Sequence, residues 1–88
     1  MLVIVTYDEN GGYWDHVPPP SGKGWGDRWG PGTRIPALLI GPGVKRGFVD
    51  HTPYDTTSIL KFLTRKFQLE PLAGVRENAG DLTAALQR

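Results

Sequence analysis

Residues 1–20, MLVIVTYDENGGYWDHVPPP, decide how the rest of the chain is read. Residues 2–7, LVIVTY, are β-branched and aromatic without polar alternation. Such a run suits a strand buried on both faces, as in a parallel sheet. It ends in two adjacent carboxylates, Asp8 and Glu9. Gly11-Gly12, Tyr13-Trp14, Asp15-His16 and three prolines follow.

Two explanations of the carboxylate pair compete. A strand re-entering water often ends in Asp or Glu, and Asp suits turns. Alternatively, ligands of α/β sheets bind beyond the carboxyl ends of the strands. Asp8 and Glu9 are the first polar side chains past such an end. Adjacent residues on extended backbone point different ways, so both meet one ion only if the chain turns there. Gly11-Gly12 supply the freedom for that turn. An oxygen-only ligand set suits a hard divalent cation.

Working outward, residues 8–34 are rich in glycine and proline and hold Trp14, Trp25 and Trp29. A loop of this length is usually functional in a compact domain. Residues 35–40, IPALLI, predict a second buried strand, with Pro36 excluded from the ladder. GPGVKRG at 41–47 is a turn cluster. Asp55 reads as the N-cap of a helix over TTSILKFLTRKFQ. Ile59, Leu60, Leu63 and Phe67 form its apolar stripe, Phe62 lies at the margin, and Lys61, Arg65 and Lys66 take the other side. A short final helix is expected from about Asp81.

Two strands and one helix cannot cover both faces of a parallel sheet. The expectation is therefore one incomplete portion, 1–88, of a larger α/β domain; Met1 directly before a core strand fits that view. The 88 residues carry 10 Lys plus Arg against 9 Asp plus Glu, for a formal charge of +1. That balance gives no argument for nucleic acid as a partner. There are no cysteines, which excludes disulfides and thiolate metal sites. No apolar run approaches the roughly 20 residues of a transmembrane helix, and no signal peptide is visible.

Three strings now combine: TYDENGGYWDHVPPP, GTRIPALLIGPGVKRGFVDHTPYDTTSILKFL and RENAGDL. Together they closely resemble the C-terminal part of the bacterial phosphoesterase family. That family contains the non-haemolytic phospholipases C and related acid phosphatases and belongs to the alkaline-phosphatase superfamily. The resemblance covers nearly the whole chain. It implies an alkaline-phosphatase-like sandwich with a mainly parallel sheet. It also implies hydrolysis of a phosphoester or phospholipid substrate by an upstream hydroxyl nucleophile, with a divalent metal ion (Ca, Mg, Mn or Zn) as cofactor. Asp8 and Glu9 match the family's metal ligands. The nucleophile and remaining ligands lie in segments that these 88 residues lack, so the chain alone is expected to be inactive. The rest of the phosphoesterase domain is its implied partner, and the family suggests a periplasmic or secreted location. Thr56 stands where many members have His.

Several residues keep two readings. His16 is a phosphate contact or leaving-group proton donor, or it braces the loop together with Asp15. His51 is a contact to substrate or to a second metal, or a structural residue. Tyr13 and the tryptophans line a lipid or aryl pocket, or pack the loop onto its own domain. Arg34 binds an anion or forms a structural salt bridge. The competing function from another class is a non-catalytic metal- or anion-binding relict module.

Overall fold

A computed structural model describes every residue except Asp27, Trp29 and Arg88. The chain divides into two units, residues 1–42 and 43–88.

The first unit is built on β1 (Val3–Thr6) and β2 (Ala37–Ile40). Their pairing is antiparallel, with Val3 opposite Ile40 and Thr6 opposite Ala37. This corrects the parallel arrangement expected for these strands. A parallel pair needs a crossover, usually a helix, and the connection from β1 to β2 contains no helix among the described residues. β2 starts directly after Pro36, which has no N–H to give to the ladder. The Thr6 hydroxyl donates instead to the Pro36 carbonyl at 2.8 Å.

The register puts Val3, Val5, Leu38 and Ile40 on one face, and all four are exposed. The strands are therefore not buried on both faces within this chain. Trp25 is buried in the intervening loop, where its N–H closes a turn onto the Gly22 carbonyl at 3.0 Å.

The second unit holds α1 (Thr57–Phe67) and a single 3-10 turn, Thr83–Ala85, in place of the expected final helix. Thr56 stands at the N-cap of α1 and makes no side-chain cap bond; the capping comes from one residue earlier, from Asp55. Its Oδ1 accepts the Thr57 N–H at 2.8 Å, and the Ser58 Oγ accepts the Asp55 N–H at 3.1 Å. This reciprocal pair satisfies two groups that a helix start otherwise leaves open. At the other end Gln68 turns left-handed (φ 53°), and the Leu69 N–H bonds back to Thr64 at 2.9 Å, closing the helix by the usual αL route.

The apolar stripe of α1 is only partly packed: Ile59 and the marginal Phe62 are half-buried. Leu60, Leu63 and Phe67 are exposed, whereas Ser58 is buried. Lys61 is half-buried and donates to the carbonyls of Arg76, Glu77 and Ala79 at 2.9, 3.1 and 2.5 Å. Arg65 pairs with Asp81. Val44, Ala79, Leu82 and Ala85 form the small core of this unit. An antiparallel bridge between Val44 and Leu86 ties its two ends together.

Candidate functional site

Asp8 and Glu9 lie in a tight turn directly after β1 and are both exposed. The turn is held by its own side chains. Asp8 Oδ1 accepts the Glu9 N–H at 2.9 Å, Glu9 Oε2 accepts the Gly11 N–H at 3.0 Å, and Asn10 Oδ1 accepts the Gly12 N–H at 2.8 Å. Gly11 (φ 64°) and Gly12 (φ 88°) both occupy the left-handed region, where glycine carries no Cβ penalty. The reversal anticipated from Gly11-Gly12 is therefore present. Asp8 Oδ2 and Glu9 Oε1 remain outside these bonds. Sequence reasoning missed Asn10. It anchors the turn across the loop by donating from Nδ2 to the Thr33 hydroxyl, and the Asn-Gly pair was the available signal.

The donor set is two carboxylate oxygens on adjacent residues, chemically suited to a hard divalent ion. Among the described residues, no group of three or more His, Cys, Asp or Glu side chains is placed to hold a metal. These residues therefore fit a metal as part of a ligand set.

His16 follows in the same unit with a left-handed backbone (φ 67°). Its ring lies 5.1 Å from that of Trp14, tilted by 35°. Asp15 is the brace of this loop. Its Oδ2 receives Arg34 Nε at 2.6 Å and Nη2 at 2.5 Å, and its Oδ1 receives the Val17 N–H at 3.2 Å. The Arg34 hydrogen bond lowers the Asp15 pKa against an opposing effect of burial. Arg34 thus forms the structural salt bridge. Trp14 and Tyr13 are exposed, so only Trp25 packs its own loop; Trp29 lies outside the described residues.

His51 belongs to the second unit and is exposed. Its neighbours are fixed. Asp50 accepts the Thr52 N–H at 2.9 Å and the Tyr54 hydroxyl at 2.5 Å. Burial, followed by the bond to Asp50, pushes the Tyr54 phenol up to about 12. Ser58 is committed to the α1 cap at 1% exposure, which removes it as a nucleophile. Thr56 is exposed.

Residues 1–70 match the model of the phosphoesterase family. The chain belongs to that family. Its relatives include plant as well as bacterial proteins. It is 37% identical to non-specific phospholipase C3 of Arabidopsis thaliana, across 100% of this chain and 21% of that protein. It is 32% identical to non-hemolytic phospholipase C of Pseudomonas aeruginosa, across 94% of this chain and 16% of the relative. For phospholipase C B of Mycobacterium tuberculosis the identity is 36%, across 74% and 16%. The chain thus spans about a fifth or less of the length of these relatives. No solved structure matches it. No helix among the described residues is long and apolar enough to cross a membrane.

Proposed function

We propose that this phosphoesterase-family chain carries part of the metal site of an enzyme that hydrolyses phosphoester bonds, with a phospholipid or a simpler phosphoester as substrate. The observation that carries the reading is the 8–12 turn. It presents two adjacent carboxylates to solvent on a backbone fixed by three of its own side chains.

Asp8 and Glu9 would each contribute one oxygen to a divalent cation. When bound, such an ion polarises phosphoryl oxygens and helps activate a hydroxyl nucleophile. The nucleophile and the other ligands would come from the rest of the phosphoesterase domain. Two observations support that division. The two carboxylates are too few for a closed site, and the chain corresponds to 16–21% of its phospholipase relatives. Asp15 and Arg34 hold the loop beyond the carboxylates. His16, on that loop, is the candidate proton donor to the leaving group, and His51 the candidate contact to substrate. Without the missing groups, the 88 residues alone would not turn over.

The test uses the complete phosphoesterase domain containing this segment. Asp8→Asn or Glu9→Gln lowers turnover by orders of magnitude and weakens metal binding in the same preparations. Unchanged turnover in both variants contradicts the assignment.

A further inference from the structure

The tail from Arg76 to Asp81 sits against the loop that carries His51, through contacts spread along both segments. Arg76 Nη1 donates to Asp55 Oδ2 at 2.7 Å, and both side chains are nearly buried, at 12% and 9% exposure. The same Asp55 carboxylate caps α1 through its other oxygen, so one residue fixes the loop to the helix and to the tail. The Gly80 N–H donates to the Pro53 carbonyl at 2.8 Å. A Cβ at Gly80 would lie 2.7 Å from Tyr54 Cε1 and 2.9 Å from the Thr52 methyl. Tyr54 in turn holds Asp50, the neighbour of His51. The Lys61 ammonium binds three tail carbonyls and keeps the tail on α1. The neighbours of His51, namely Asp50, Thr52, Pro53, Tyr54 and Asp55, are thus each held by a side-chain or backbone bond. The imidazole itself is exposed. A rigid backbone presenting an uncommitted side chain is the arrangement a positioned contact needs.

We propose that residues 76–81 are a positioning brace for His51: Arg76 acting through Asp55, and Gly80 acting through Tyr54, fix the backbone that presents this imidazole to a phosphoryl group. The inference rests on the phosphoesterase reading for what His51 would touch. The brace comes from beyond residues 1–70, the segment matched by the family model.

The test is solution NMR of the 88-residue chain labelled at histidine and at backbone nitrogen. Arg76→Met moves or broadens the His51 ring signals and speeds amide exchange at His51, Thr52 and Tyr54 by about tenfold or more. The His16 signals and the amides of α1 from Ile59 onward keep their positions. Arg76→Lys, which keeps the charge, recovers most of the parent His51 signal. His51 signals in Arg76→Met that superimpose on the parent overturn the brace, as do shifts spread equally over α1. If Arg76→Met unfolds the second unit, Tyr54→Phe decides. It removes only the hydroxyl bond to Asp50, and unchanged His51 signals in that variant overturn the proposal. Neither metal nor turnover enters this readout. Its failure would leave the Asp8–Glu9 site standing, and loss of that site would leave the brace standing.

Discussion

Tyr54 carries the clearest charge-state consequence of any single side chain. Its ring lies against Gly80 and its hydroxyl donates to Asp50 at 2.5 Å. Burial and that hydrogen bond both favour the neutral phenol, which is why its pKa rises to about 12. A group raised above its unfolded value of about 10 contributes stability that is fully present below pH 10 and is lost as pH climbs towards 12. Urea melts of the 88-residue chain should therefore show stability falling between about pH 10 and 12. Tyr54→Phe should flatten that fall. Profiles of equal slope in parent and variant would contradict the assigned environment. Asp81 is the opposite case. The Thr83 hydrogen bond, opposed by burial and joined by Arg65, takes its carboxyl down to about 2. Its contribution is fully present above the ordinary carboxylate range and is lost progressively as pH falls from that range through about 2.

Among the elements, the junction of the 50–55 loop with the tail leaves no room for a side chain at Gly80. Gly80→Ala forces a methyl into the Tyr54 ring and the Thr52 methyl, and overpacking of this kind costs about 1–3 kcal/mol. Thermal melts should show a lowered midpoint, and Tyr54→Ala in the same chain should relieve much of the loss. An additive double variant would show that the clash is not the cause. The elements themselves were legible to different depths. LVIVTY and IPALLI announced β1 and β2, trimmed by Pro36, and Asp55 announced the start of α1. Strand direction was not legible, because an apolar run records burial and not the course of the connection that follows it. The α1 stripe of Ile59, Leu60, Leu63 and Phe67 was legible from its period. That all of it but the half-buried Ile59 is exposed was not, because the packed side depends on Lys61 meeting three carbonyls of the tail. Periodicity carries no record of that contact. Asp15 and Arg34 were each visible as charges, and their pairing across the loop emerged only in three dimensions.

Across the whole molecule, the apolar surface left open tells most about function. One face of the β1–β2 sheet exposes Val3, Val5, Leu38 and Ile40, and α1 exposes Leu60, Leu63 and Phe67. Single exposed apolar side chains are ordinary, but a complete sheet face and a helical stripe are not. They support the proposed division of labour, in which the rest of the phosphoesterase domain covers these faces and completes the metal site. The carboxylate pair was legible from TYDENGG alone as a candidate site, and the turn that follows it was legible from Gly11-Gly12. The remaining ligands were not, since among the described residues no third His, Cys, Asp or Glu side chain is grouped with the pair. The central claim is that Asp8 and Glu9 are metal ligands. A Mn²⁺ titration of the ¹⁵N-labelled chain tests it most directly, because paramagnetic broadening maps the ion without requiring turnover. Broadening that begins at the amides of residues 8–12 and disappears in the Asp8→Asn/Glu9→Gln variant is the expected result. Broadening that begins elsewhere, or persists at residues 8–12 in that variant, would contradict the account.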